Sequence, residues 1–183
     1  MAGNDTREGG QVWCRSHRAD RDALPLADRH YNRQKPGTPQ FAPTGSCCVF
    51  VTDCLRAFWI TSFPFAEWVK HEWAGAWVCS AFRNEGAGRA SDLIRMAVAA
   101  TRAHYGDPPA LGMVTFVDRS KVRPTMVRGK PVWGWTYRKA GFVECGETKG
   151  GLLALQLLPD AMPDAIPALP RSTDALPLFG AAA

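Results

Sequence analysis

The chain has 183 residues, 46% of them hydrophobic and 21% charged, with a formal net charge of +5. These values fit one globular domain with a sizeable core and exclude collagen-like and disordered classes. No apolar run reaches the ~20 residues that span a bilayer, and the opening M-A-G-N-D-T-R-E-G-G has no apolar signal core, so a cytoplasmic protein without a membrane partner is expected.

In chain order, residues 1–23 are polar, contain glycines and mix their charges, and read as a flexible arm. A short helix is expected from Leu24, through L-P-L-A-D-R-H-Y-N-R, ending before Lys35-Pro36-Gly37. Cys47–Thr52 and Arg56–Phe63 read as a β-hairpin with a short link. The aromatic stretch from Pro64 to Ala76 reads as a loop or short helix that either covers the sheet or walls an acceptor pocket. Trp77–Phe82 is the expected look of a buried strand, broken by Gly86 and Gly88. Ser91 and Asp92 then open a helix with apolar positions at Leu93, Met96, Ala97, Ala100 and Ala103, which Gly106-Asp107-Pro108-Pro109 stops.

Leu111–Val117 is the next strand, with Asp118 at its C-terminal end, where ligands sit in open α/β sheets. Val122 to Trp135 is an insertion of basic residues, prolines, glycines and two tryptophans. Phe142–Glu147 and Leu152–Leu158 form a last hairpin. Beyond Pro159 the recurrent prolines predict an extended or disordered tail, so the domain expected is 24–158, between an arm at 1–23 and a tail at 159–183.

Two features carry chemistry. The first is the glycine loop between a strand and a helix. Glycines let a ligand approach the backbone amides closely, and the helix N-terminus favours negative charge, so Gly86, Ala87 and Gly88 with Arg83 and Arg89 make a phosphate cradle. A plain packing turn is the competing reading. The second is charge: between Arg119 and Lys149 there are eight basic residues against Glu144 and Glu147. Arg119, Lys121, Arg123, Arg128 and Lys130, interleaved with Trp133, suit a phosphate backbone with a stacked base, against the alternatives of a solvated basic surface and a core tryptophan. The six cysteines contain no C-x-x-C pair and read as free thiols, with no metal site expected.

The loop Arg83-x-x-Gly86-x-Gly88, followed downstream by Tyr137-x-x-x-Gly141-Phe142, resembles the GNAT acetyltransferase superfamily over roughly Leu24 to Leu158. His30-Tyr31 is similar to a His-Tyr pair early in the Mom-like phage DNA-modification branch of that family. The resemblance implies an α/β (α+β) fold, with a mixed central sheet, a splayed strand pair and flanking helices. It implies acetyl-CoA as co-substrate, held by the glycine loop and by strand backbone near Cys79 or Ser80. It implies Tyr137 as the acid that protonates the departing thiolate. Asp118, then Glu85 and His30, are the candidates for the base that deprotonates an acceptor amine. The acceptor expected is an amino-bearing base in phage DNA, 5-aminomethyl-deoxyuridine becoming 5-acetylaminomethyl-deoxyuridine, which protects the DNA from host restriction. The rivals are a protein or small-molecule amine, an adenine-modifying activity, and a nucleic-acid-binding protein without catalysis. The insertion at 122–135 departs from the family pattern, in which a short helix follows the strand directly.

Overall fold

A computed structural model describes residues 12–171. The strands are β1 (Trp13–Ser16), β2 (Cys47–Thr52), β3 (Ala57–Ser62), β4 (Trp77–Asn84), β5 (Met113–Val117), β6 (Thr125–Val127), β7 (Lys130–Val132), β8 (Val143–Glu147) and β9 (Leu153–Leu157). The helices are α1 (Leu24–Asp28), α2 (Ala90–Tyr105) and α3 (Trp135–Lys139). Seven strands form one mixed sheet in the order β1-β2-β3-β4-β5-β9-β8, and β6 and β7 pair apart from it. The architecture is α+β.

Alternation along β2 and β3 sends side chains to two layers. Cys48, Phe50, Ala57 and Trp59 meet α2 through Leu93, Ile94, Ala97 and Val98, whereas Val49, Val51, Phe58 and Ile60 meet α1 through Leu26 and Ala27. Each fully buried Leu, Ile or Phe side chain is worth ~1.5–3 kcal/mol in transfer terms. A buried polar thread also ties α2 to the sheet: the Trp59 indole N–H donates to Thr61 Oγ1 at 2.6 Å, Thr61 and Thr101 hydroxyls lie 3.0 Å apart, and Thr101 Oγ1 donates to the Ala97 carbonyl at 2.8 Å.

Two expectations are corrected at the termini. The chain is not a loose arm as far as Ala23. Trp13 and Cys14 are buried, β1 pairs antiparallel with β2, and the Trp13 indole donates to the Leu93 carbonyl at 2.9 Å. A four-residue strand with two polar members leaves too little periodicity to read among its polar neighbours. The segment after Pro159 is extended, but it docks: Leu169 bridges β1 through Arg15 N–H to Leu169 O at 2.7 Å and Leu169 N–H to Trp13 O at 2.8 Å, while Arg171 pairs with Asp20 and Asp22. It thereby covers one edge of the sheet. The remainder of the predicted arm and tail lies outside the described residues.

The sheet opens at one place. The β3–β4 register steps from Thr61↔Cys79 to Ile60↔Ala81, which leaves Ser80 as the extra residue of a bulge. A bulge bends its strand and raises the local twist. β4 and β5, the parallel pair, stay bonded only from Trp77↔Met113 to Cys79↔Thr115, although β4 runs on to Asn84 and β5 to Val117. Beyond Cys79 the two strands splay.

Candidate functional site

A cleft of about 460 Å³ occupies the splay. Its walls are β4 from Cys79 to Asn84, β5 from Thr115 to Val117, α3 from its N-terminus to Tyr137, and the start of the insertion. At its floor Tyr137 Oη and Cys79 Sγ stand 3.5 Å apart. Burial holds the Tyr137 phenol well above its ordinary value and pushes the Cys79 thiol up to about 12, so both groups keep their protons at neutral pH. Gly134 lets this wall come close: with φ +64°, a Cβ there would lie 2.3 Å from Leu155 Cδ1.

The segment after α1 closes over the cleft like a strap. Tyr31 donates its hydroxyl to the Phe116 carbonyl on β5 at 3.3 Å, and Asn32 Nδ2 donates to the Ser80 carbonyl on β4 at 3.0 Å. His30 lies between them, stacked on Tyr31 at 4.6 Å, with its Nδ1 against the Asn32 side-chain oxygen. Burial lowers the His30 pKa, so its ring is neutral near pH 7. The strap is anchored by charge: Arg29 holds Glu85 through two contacts of 2.7 Å, Arg83 Nε reaches the same carboxylate at 2.6 Å, and Arg83 Nη1 donates to the Arg29 carbonyl at 2.7 Å.

This network corrects two expectations. Glu85 is no general base: hydrogen bonds from Arg29 and then Arg83 hold its pKa at about 2, and both carboxylate oxygens are taken. Arg83 does not reach for phosphate but is spent on Glu85 and the strap. The Asp118 carboxylate is also engaged, accepting from the Ser120 hydroxyl at 2.6 Å and the Ser120 N–H at 2.9 Å, which lowers its pKa and weakens it as a base. It faces a smaller cleft of about 330 Å³, shared with Tyr31, Asn32, Cys79 and Ser80.

The glycine loop is built by Asn84, a residue the sequence reading passed over. Its Oδ1 accepts from the Gly86 N–H at 3.1 Å and the Ala87 N–H at 2.8 Å, and its Nδ2 donates to the Gly88 carbonyl at 2.8 Å. Those two amides are therefore occupied, against the expectation that they cradle phosphate. The N–H groups of Gly88, Ala90 and Ser91 have no hydrogen-bond partner among the described residues, and the N-cap Arg89 caps no amide with its side chain. An anion at this end meets those amides, the α2 dipole and the exposed Arg89. Arg56, also missed, adds a guanidinium beside Gly86.

The insertion is a small hairpin, β6–β7, turned at Arg128-Gly129 with φ of 50° and 77°. Lys121 and Arg123 line the main cleft, and Arg128 and Lys130 are exposed at the turn. Arg119 is paired with Glu147 at 2.5 Å, and Arg138 with Glu144, so the basic surface is smaller than the sequence count. Trp133 is not a free stacking surface: it packs against the main core and its indole donates to the Val122 carbonyl at 3.1 Å, tying the two ends of the insertion together. Among the described residues no cluster of three or more His, Cys, Asp or Glu is placed to hold a metal, and no helix is long and apolar enough to cross a membrane.

Compared with known proteins, the chain matches no family model, no curated protein and no solved structure.

Proposed function

We propose that the protein is an acetyl-CoA-dependent N-acetyltransferase of the GNAT type, acting on an amino-bearing base in phage DNA. The observation that carries this reading is the end of β4–β5 pairing at Cys79 and Thr115, with a cleft in the splay whose β4 wall runs to Asn84, the residue that folds the glycine loop before the uncapped N-terminus of α2. The residues present fit a long, phosphate-bearing thioester. The N–H groups of Gly88, Ala90 and Ser91, with Arg89 and Arg56, would hold its phosphates, and the Ser80 bulge lines the cleft where its acyl end would lie. The bound donor supplies an activated acyl group.

The chain's own residues then have separate tasks. Tyr137 holds a proton at Oη, 3.5 Å from Cys79 on the cleft floor, for a departing thiolate. The strap Arg29–Asn32 bridges the two parted strands over the reacting end. With Glu85 tied up and Asp118 and His30 engaged, an acceptor amine that arrives with its proton already lost fits the site better than one that needs a strong base. Lys121 and Arg123 on the cleft wall, with Arg128 and Lys130 on the hairpin, favour a polyanionic acceptor.

The neutralisation of Arg119 and Arg138 by Glu147 and Glu144 favours the second reading, a GNAT enzyme for a protein or small-molecule amine. Calorimetry with CoA separates both from a binding protein without catalysis. Binding with a matching rise in melting temperature supports an acyltransferase, and no binding leaves only the nucleic-acid-binding alternative.

A further inference from the structure

A second polar cleft, of about 540 Å³, lies on the face of the sheet away from α2, between residues 32–43 and the Ile60–Ala81 surface. It touches the reaction cleft along the β4 bulge, where Ser80 and Ala81 line both. Its lining is unusual in carrying three side-chain amides, those of Asn32, Gln34 and Gln40, beside Lys35 and Phe41. Asn32 is spent on Ser80 and His30. Gln34, Gln40 and Lys35 make no side-chain hydrogen bond among the described residues.

The loop that carries them is held rigid by one buried-stem cation. Arg33 donates to Asp28 Oδ1 at 2.9 Å, to the Gln40 carbonyl at 3.1 Å and to the Thr38 carbonyl at 2.6 Å, and Asp28 Oδ2 accepts from the Gly37 N–H at 2.8 Å. The 18-residue link 29–46, without helix or strand, therefore has a braced backbone, which sets where the Gln34 and Gln40 side chains start. Phe41 is itself braced edge-on against Phe58 at 6.3 Å.

We propose that this cleft is the acceptor subsite and takes an unstacked nucleobase, read edge-on by the Gln34 and Gln40 amides beside the Phe41 ring and steadied by Lys35 on the adjoining phosphate. The inference rests on the acyl-transfer reading above. A side-chain amide offers one donor next to one acceptor, which complements the imide edge of a uracil-type base or the N6/N7 edge of adenine. On a uracil-type base the 5-substituent lies off the imide edge and is left free to point toward Ser80 and Ala81, where the two clefts meet. A duplex would have to release that base from the stack, so a single strand is the simpler ligand.

The test uses three single-stranded 12-mers that are identical except at one central position, which holds 5-aminomethyl-deoxyuridine, adenine or an abasic site. Binding is read by fluorescence anisotropy with the full chain, wild type and Gln34→Ala/Gln40→Ala. Both glutamines are exposed, so the double variant keeps the fold, and its CoA affinity serves as the check. The expected result is at least tenfold tighter binding of one base-bearing strand than of the abasic strand, lost in the double variant while CoA binding is unchanged. Which strand gains identifies the base. In parallel, a strand carrying 5-iodo-deoxyuridine is photo-cross-linked, and the cross-link is expected on the peptide with Phe41. If the double variant keeps the wild-type preference, or the cross-link falls on Trp133 or Trp135, the subsite is wrong while the acyltransferase reading stands. If the wild type binds CoA but prefers no base over the abasic site, the nucleobase occupant is overturned together with the DNA reading.

Discussion

Tyr137 Oη stands 3.5 Å from Cys79 Sγ, and Cys79 is the last β4 residue still paired with β5. The phenol thus sits at the apex of the splay, where the two strands part. If Tyr137 is the proton donor, Tyr137→Phe lowers kcat by roughly 100-fold, the usual scale for one acid–base group, and leaves the CoA affinity within about twofold. Steady-state kinetics with calorimetry check this. A fall in CoA affinity with kcat intact would make the tyrosine a wall of the cleft.

The Arg29–Glu85–Arg83 network has a pH signature. Glu85 has a folded-state pKa of about 2, below its ordinary value of 4.5. Its contribution to stability is full above about pH 5 and is lost as the pH falls from 4.5 toward 2. Chemical denaturation from pH 7 to pH 3 should therefore show wild-type stability declining more steeply than that of Glu85→Gln. Parallel curves would remove Glu85 from the strap's anchorage.

Phosphate binding divides from nucleic-acid binding. Arg89 is exposed at the N-cap of α2, 3.8 Å from Asp92, and far in sequence from the insertion. Arg89→Ala is expected to weaken CoA binding by about 5- to 30-fold, as loss of one ~1–2 kcal/mol charged contact does, while oligonucleotide binding is unchanged. Equal loss of both would place the two ligands on one surface.

Close approach is tested at Gly112. Its φ is +63°, and a Cβ there would lie 2.1 Å from the Leu157 carbonyl oxygen. Because the obstacle is backbone, Gly112→Ala should destabilise by at least ~2 kcal/mol. Gly86→Ala, with φ +91° and nothing nearer than 3.9 Å, should cost only the ~1 kcal/mol of a left-handed alanine. Thermal melts of the two variants decide the order.

Much of the sheet was legible because its signals are local. Cys47–Thr52 is a strand over the residues expected, and the Leu93, Met96, Ala97, Ala100 spacing placed α2. Gly134 and Gly141 bracket α3 as punctuation. What could not be read depends on partners distant in sequence. Glu85 reads as a candidate base until Arg29, 56 residues away, is seen to hold it. Arg83 reads as a phosphate ligand until the same pair claims it. The Ser80 bulge leaves no mark in W-V-C-S-A-F, since one extra small residue in a run that does not alternate alters no pattern. Asn84 has a weak signal that was available: an Asn two residues before a glycine is a frequent side-chain-to-backbone turn.

The central claim is acyl transfer to an amino-bearing base, and nucleoside mass spectrometry tests it most directly. DNA containing 5-aminomethyl-deoxyuridine is incubated with the pure protein and acetyl-CoA, digested, and compared with unmodified DNA treated in the same way. The account predicts an added acetyl mass on the aminomethyl base alone. Unchanged nucleosides in both samples, from protein that demonstrably binds CoA, would contradict it and turn the search to protein and small-molecule amines.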